Sequence, residues 1–546
     1  MTAGATANGM FARALIANLA ANGAHRFVLC PGSRSGPLAH ALAEAAVADP
    51  PIGAPQIALH VRIDARSAGF VALGLGRATG EPVAIVTTSG TAVGNLLPAV
   101  MEAHHSGVRL VLLTADRPIG IRGTGANQTT DQRGIFGPFV QYSRDVFPPI
   151  AGHDVASEAA HAVRAALAAA AGAVPPSDPA YDTVGPVHLN LQFGPPLGPD
   201  HADWPWATEA PLTLPPETAV PPLPAVVRGI VVAGDGAGPA AASIANARGW
   251  PLFAEPTSEA RTGPACIAGY SEALAGDRAR ALLDETEFVL VVGRPTLSRT
   301  VTRLVADAPL VWVARHGARW REVPANAEVV ARDVPFDWVR AAHGRPVAPG
   351  DGSWLDRWQG LAREPGEAEW GPRAVAAEVL DSVRSDHVLL LGSSGPIRAA
   401  DAVMRPLRVV EMPRIVANRG LAGIDGTVST AVGLALAGIG RVTALMGDVT
   451  FLHDIGGLLV GRREKTPDLR IVVANDGGGT IFRGLEHVAA PDAAFERVFT
   501  TPHSARLEDL CSGYGVTHAL VGDRAELRAA LEHPPTGIEV VEAALP

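Results

Sequence analysis

Two stretches end in residues that could do chemistry. Arg441-Val-Thr-Ala-Leu-Met-Gly447-Asp448 and Ile471-Val-Val-Ala-Asn475-Asp476-Gly477-Gly478 each run apolar and β-branched, then stop at glycine and a carboxylate. Such runs read as buried parallel strands whose C-terminal ends open into a site. Asp448 and Asp476 stand 28 positions apart, room for one helical crossover between neighbouring strands. Two carboxylates and the carbonyl of Gly478 are hard oxygen donors suited to Mg²⁺ or Mn²⁺. Such a cation keeps its other positions for phosphate oxygens.

The elements that must position these residues follow one grammar along the chain. Met10 to Leu19 has a helical pattern, and Arg26-Phe-Val-Leu-Cys30 reads as a strand. The turn Pro31-Gly32-Ser33-Arg34-Ser35-Gly36-Pro37 then presents backbone N–H groups and one guanidinium to an anion. His60 to Asp64 is read as a strand ahead of an Ala-, Leu- and Gly-rich helix. Pro82 to Thr88 and Leu110 to Asp116 are strands, the first followed by Ser89-Gly90-Thr91 and a helix. Farther on, Phe288 to Gly293, Leu310 to Ala314, Val388 to Leu391 and a strand ending at Glu411-Met412 continue the pattern. Repeated strand–helix units mean parallel sheets covered by helices, an α/β fold.

Composition divides the chain and excludes several functions. At 546 residues it is too long for one core. A Pro-rich linker at 196–225 separates an N-terminal domain, 1–195, from a central α/β domain, 226–345. The Pro- and Gly-containing stretch from His343 to Ser353 is read as a second linker, and 354–546 forms the third domain. A net charge of -10 argues against nonspecific nucleic-acid binding. Cys30, Cys266 and Cys511 are too few and too scattered for a disulfide framework or a clustered zinc site, so a cytoplasmic setting is expected. The first residues, Met1-Thr-Ala-Gly-Ala-Thr, read as no signal peptide, and no run of eighteen apolar residues suggests a membrane span. The only lysine, Lys465, lies in a polar stretch, which disfavours Schiff-base and pyridoxal phosphate chemistry. His104-His105 falls in a helical stretch with no partner at metal-ligand spacing and is read as structural. Val227 to Gly238 lacks GxGxxG spacing and is read as a strand–turn–helix without nucleotide.

Gly447-Asp448, a crossover, then Asn475-Asp476-x-Gly478 resembles the thiamine diphosphate motif usually written GDG…NN. Val449 stands where the third glycine often falls, and Asp476 replaces the second asparagine; both aspartates still offer a ligand oxygen. Further stretches are similar to the 2-succinyl-5-enolpyruvyl-6-hydroxy-3-cyclohexene-1-carboxylate synthase (MenD) family. They are Pro31-Gly-Ser-Arg-Ser35, Thr88-Ser-Gly-Thr91, Gly123-Thr-Gly-Ala-Asn127-Gln128, Asn418-Arg-Gly…Gly-Ile-Asp-Gly426 and Asn475-Asp…Ile481-Phe482. They span the first and third domains, while the middle domain matches only in general character.

The resemblance implies a three-domain thiamine diphosphate-binding fold and a homodimer or homotetramer. It also implies a transferase of menaquinone biosynthesis, a carboligase that decarboxylates 2-oxoglutarate and adds the succinyl unit to isochorismate. It places Ser33, Arg34, Asn127, Gln128, Ser394, Arg398, Arg419 and Phe482 on the substrate side. Ile424, Gly447, Asp448, Thr450, Gly479 and Ile481 fall on the cofactor, with Asp448, Asp476 and Gly478 on the metal. Both substrates are di-acids, which suits three arginines at strand ends and Gly-rich turns.

One position departs from the family. Asp64-Ala65-Arg66 has Ala65 where the family carries the glutamate that protonates the aminopyrimidine ring. On a strand, Asp64 would point its side chain to the opposite face and could not substitute. Slow turnover is therefore expected despite good cofactor binding. Two alternatives stand beside this reading: another thiamine diphosphate 2-oxoacid decarboxylase or acetolactate synthase-like enzyme, or a catalytically degenerate cofactor-binding protein.

Overall fold

The computed structural model describes residues 5–47, 56–173, 184–201, 203–205, 220–315, 323–343 and 353–546. Much of the Pro-rich stretch (206–219) and the second linker (344–352) lie outside the described residues, as do Met1 to Gly4. By contacts the chain divides into two units. One comprises residues 1–215, 425–439 and 454–467, the other 216–424, 440–453 and 468–546.

In the first unit, six strands form one parallel sheet: β1 (Arg26–Leu29), β2 (Ala58–Val61), β3 (Val83–Thr87), β4 (Leu110–Asp116), β5 (Tyr142–Val146) and β6 (Val187–Gln192). Their order is β2-β1-β3-β4-β6-β5. β3, β4 and β6 are buried along their whole length, as strands covered by helices on both faces must be. The chain leaves β1 for one side and returns as β3 on the other. The turns after β1 and β3 therefore flank a switch point, where open α/β sheets bind ligands.

Two helices from distant parts of the sequence pack in this unit, Ala65–Thr79 and Thr427–Leu436. Gly74 and Gly433 let them approach, because a Cβ on Gly74 would fall on the Thr430 carbonyl and one on Gly433 on that of Val71. The Ser67 and Ser429 hydroxyls meet 2.8 Å apart in the same contact. Gly426, at φ +65°, begins the second helix directly against the Phe70 ring, where no side chain fits. The start of the Pro-rich stretch is bonded to the first helix of the chain. Asn8 donates to the carbonyls of Gly194 (2.7 Å) and Pro196 (2.8 Å), and Arg13 pairs with Asp200 at 2.8 Å.

The second unit holds two parallel sheets. The central one has β7 (Gly229–Ala233), β8 (Leu252–Ala254), β9 (Phe288–Val292), β10 (Val311–Ala314) and β11 (Ala327–Ala331), in the order β11-β10-β9-β7-β8. The last sheet has β12 (His387–Leu391), β13 (Arg414–Val416), β14 (Arg441–Gly447), β15 (Leu469–Asn475), β16 (Thr517–Val521) and β17 (Ile538–Ala544). Its order, β13-β12-β14-β15-β17-β16, places the switch point between β12 and β14. The expected three parallel sheets covered by helices are present.

Two local expectations are overturned. No strand ends at Glu411-Met412. Val409–Glu411 is a 3₁₀ turn and β13 begins at Arg414. Val409 and Val410 are 69% and 71% exposed, so no sheet face takes their β-branched side chains, and Pro413 has no N–H to pair. Nor does a strand run to Asp64. β2 stops at Val61, and Asp64 is the N-cap of the helix that starts at Ala65.

Candidate active site

At the end of β14 the helix Asp448–His453 begins at once, so Asp448 sits on its first turn with 2% of its surface exposed. One carboxylate oxygen accepts from the Val449 N–H (2.8 Å), and the other lies 2.9 Å from Nε2 of His503. Thr450, two residues on, is buried beside it in the same turn. Gly447 closes β14, paired with Ala474 of the neighbouring strand β15. That register puts Asp476, just past β15, next to Asp448.

Burial raises the Asp476 carboxyl, the nearby Asp448 charge raises it further, and a hydrogen bond from the Thr480 hydroxyl opposes both. A buried carboxyl raised in part by a second carboxylate beside it marks a concentration of negative charge that a cation would relieve. Gly477 and Gly478 have φ of +78° and +147°, a backbone that other residues rarely adopt. A Cβ on Gly478 would run into the Thr500 carbonyl, and the Gly479 N–H donates to that same carbonyl at 2.6 Å. Asn475 is held by Glu542 at 2.6 Å and accepts from the Gly477 N–H. The turn is thus pinned from both sides. Two carboxylates at the ends of adjacent strands beside a tight glycine turn fit a hard divalent cation carrying phosphate.

Ile481 and Phe482 follow in the 3₁₀ turn Thr480–Gly484, with the Phe482 ring 5.6 Å from that of Phe499. At the switch point, Ser394 adopts φ +75° ahead of the helix Gly395–Val403. Arg398 on that helix is exposed and donates to the Ser394 carbonyl at 2.8 Å. Arg419 lies in the Gly-rich loop after β13. It is 3% exposed, and its Nε and Nη2 donate to the Thr296 hydroxyl at 2.8 and 2.7 Å. Ile424 lies half-buried in the loop before Gly426.

The first unit gathers a second set. Ser33 is exposed in the turn after β1, and Arg34 donates to the Phe193 carbonyl at 2.7 Å while its buried Nε has no hydrogen-bond partner. Burial lowers the basicity of Arg34, and the neighbouring Arg117 lowers it further. Gln128 takes φ +55° and is fixed by a ring of bonds. Its amide donates to the Ser89 carbonyl at 2.9 Å, while the Ser89 hydroxyl (3.0 Å) and Arg117 (2.8 Å) donate to its own carbonyl. Asn127 beside it is exposed.

Ala65 is buried as the first residue of its helix. Asp64 does not replace a glutamate there, though for a different reason than strand geometry. Its carboxylate is committed to the cap, accepting from the N–H groups of Arg66 (2.8 Å) and Ser67 (3.3 Å).

Arg117, His503 and Thr296 were not picked out as site residues. Arg117 obeys the strand-end grammar, directly after β4 and before Pro118. His503 and Thr296 carry no local signal, since each reaches its partner across 55 and 123 positions. His104 and His105 pack edge-on at 4.9 Å in the helix Leu97–Ser106 and against Phe139. Among the described residues no group of three or more His, Cys, Asp or Glu side chains is placed to hold a metal.

Two family descriptions match the chain: the N-terminal TPP binding domain of thiamine pyrophosphate enzymes over residues 10–135, and the C-terminal TPP binding domain over residues 399–537. Full-length relatives agree. The 2-succinyl-5-enolpyruvyl-6-hydroxy-3-cyclohexene-1-carboxylate synthase of Arthrobacter sp. (strain FB24) is 44% identical over 97% of this chain and 88% of its own. The enzyme of the same name from Renibacterium salmoninarum is 44% identical over 97% of this chain and 93% of its own. That of Nocardioides sp. is 42% identical over 97% and 94%. With both cofactor domains matched and such identity along nearly its whole length, the chain belongs to the 2-succinyl-5-enolpyruvyl-6-hydroxy-3-cyclohexene-1-carboxylate synthase family of thiamine diphosphate enzymes.

Proposed function

We propose that the chain is a transferase of menaquinone biosynthesis, a thiamine diphosphate-dependent carboligase slowed by Ala65. It decarboxylates 2-oxoglutarate and joins the succinyl unit to isochorismate. The observation that carries this reading is the paired carboxylates of Asp448 and Asp476 at the ends of β14 and β15, in a chain of this family.

When bound, the cofactor supplies a thiazolium that stabilises the negative charge left by loss of CO₂ from a 2-oxo acid. Asp448, Asp476 and the Gly478 carbonyl would hold Mg²⁺ or Mn²⁺, which would supply positive charge for the cofactor's diphosphate. Gly447, Thr450, Gly479 and Ile481 would shape that cradle, and Ile424 would give the cofactor an apolar support. Arg34, Arg398 and Arg419 bind the substrate carboxylates as planar donors, assisted by Ser33 and Ser394. Asn127 and Gln128 bond the hydroxyl and carboxylate groups of isochorismate, and Phe482 walls the site against water.

Mass spectrometry of reactions with the cofactor, Mg²⁺, 2-oxoglutarate and isochorismate tests this. The expected result is CO₂ release from 2-oxoglutarate and a product carrying the succinyl unit. Preference for pyruvate would favour an acetolactate synthase-like enzyme instead. The protein is proposed to act in the cytoplasm as a homodimer or homotetramer, independent of nucleic acid. No helix among the described residues is long and apolar enough to cross a membrane. Light scattering that found a monomer with full cofactor affinity would overturn the assembly.

A further inference from the structure

We infer that the segment Glu255–Arg261, which follows β8 of the central sheet, is the positioning element for the substrate arginine Arg419 and also ties down the helix that carries Arg398. This rests on the substrate role proposed for Arg419. Glu255 follows β8 directly and is 2% exposed. One of its oxygens accepts from the backbone N–H groups of Thr296 and Leu297, both at 2.7 Å, in the turn after β9. The Thr296 hydroxyl then accepts from both Nε and Nη2 of Arg419, with the Thr296 carbonyl 3.3 Å from Nη2. The chain of contacts therefore runs from Glu255 through one turn to the guanidinium plane.

Six residues on, Arg261 is fully buried and repeats the device on the helix Gly395–Val403. It donates to Asp401 Oδ1 at 2.8 Å and to the Asp401 carbonyl at 3.0 Å, and the Tyr270 hydroxyl donates to the other Asp401 oxygen. Asp401 lies one helical turn beyond Arg398. The Arg261 carbonyl also accepts from the Leu407 N–H at 3.0 Å, which ties down the chain after that helix.

A threonine hydroxyl and a carbonyl are uncharged acceptors, and those of Thr296 fix the plane of the Arg419 guanidinium. A guanidinium already ordered loses less side-chain freedom when a di-acid binds. The Glu255 carboxylate faces the backbone amides of Thr296 and Leu297. Burial pushes it up to about 7, although those amides and the Arg419 charge pull the other way.

The test is calorimetric titration of 2-oxoglutarate into the full chain loaded with thiamine diphosphate and Mg²⁺. Thr296→Val, which keeps the side-chain shape and removes the acceptor, should raise the dissociation constant about 5- to 10-fold, the size of one freed side chain. Thr296→Ser should restore the wild-type value, and cofactor affinity should not move in either variant. A purely structural role would lower the melting temperature without separating the two affinities. Should Thr296→Val fail to fold, Glu255 gives a second lever. Glu255→Gln keeps an oxygen for the two amides and should bind 2-oxoglutarate as wild type does, whereas Glu255→Met should show the same loss as Thr296→Val. If Arg419→Ala weakens 2-oxoglutarate binding but neither Thr296→Val nor Glu255→Met does, the inference is overturned alone. If Arg419→Ala has no effect, the substrate role of Arg419 is overturned, and the inference with it.

Discussion

Replacing Ala65 by glutamate should raise kcat by about 10²-fold or more, the scale of a general acid–base group. The KM for 2-oxoglutarate should change little, because the new carboxylate would touch the cofactor ring and not the substrate acids. Ala65 opens the helix Ala65–Thr79, and a carboxylate in a helix's first turn is favoured by the helix dipole. The variant should therefore fold. The adjacent carboxylate does not do this work already, since Asp64 spends its oxygen on the Arg66 and Ser67 N–H groups. Asp454, in the same unit, is buried and accepts from the Ser429 N–H at 2.7 Å. Steady-state kinetics beside a cofactor titration decides the matter. No gain in kcat with thiamine diphosphate bound would mean that the site has diverged beyond this residue, and the degenerate reading would then stand.

The sheets were legible because each buried strand announces itself with an apolar run and a glycine or acidic stop. Asp448 and Asp476 could be placed at neighbouring strand ends on that signal alone, and β14 and β15 do pair in register from Val442 to Gly447. The same signal misled where exposure decides. Val409-Val410 is β-branched but faces solvent, and His60 to Asp64 contains Ile63, which is 75% exposed. At Asp64 the better reading was available: an aspartate followed by Ala-Arg-Ser and a long Ala- and Leu-rich run is an N-cap signal.

What no local pattern carries is contact between distant segments. The helix Thr427–Leu436 lies within the third domain by sequence, yet it packs against Ala65–Thr79 through Gly433 and Gly74. A glycine inside each helical run was the only hint, since such glycines often mark close backbone approach. The Gly-rich stretch from Asn418 to Gly426 places Arg419 in a loop. Its anchoring to Thr296 is invisible in sequence because the partner lies 123 positions away, in the turn after β9.

Asp448→Ala should abolish the stabilisation that thiamine diphosphate and Mg²⁺ confer together. A ligand that binds only the native state stabilises it by about 2.7 kcal/mol at a concentration near 100 times its dissociation constant, which raises the melting temperature by a few degrees. The ion's protein ligands are proposed to be Asp448, Asp476 and the Gly478 carbonyl, so losing Asp448 removes one of only two anionic oxygens. The loss should not come from unfolding. Asp448 occupies a helix start, and removing its charge also removes its repulsion of Asp476, whose carboxyl burial and that charge push up. Apo Asp448→Ala should therefore melt near the wild-type temperature while showing no shift with cofactor and metal. Asp448→Asn, which keeps an oxygen for His503 but not the charge, should retain only part of the shift. Wild-type protein treated with EDTA should behave like Asp448→Ala until Mg²⁺ or Mn²⁺ is restored. A thiamine diphosphate shift that survives EDTA undiminished would show that the two aspartates serve something other than a metal.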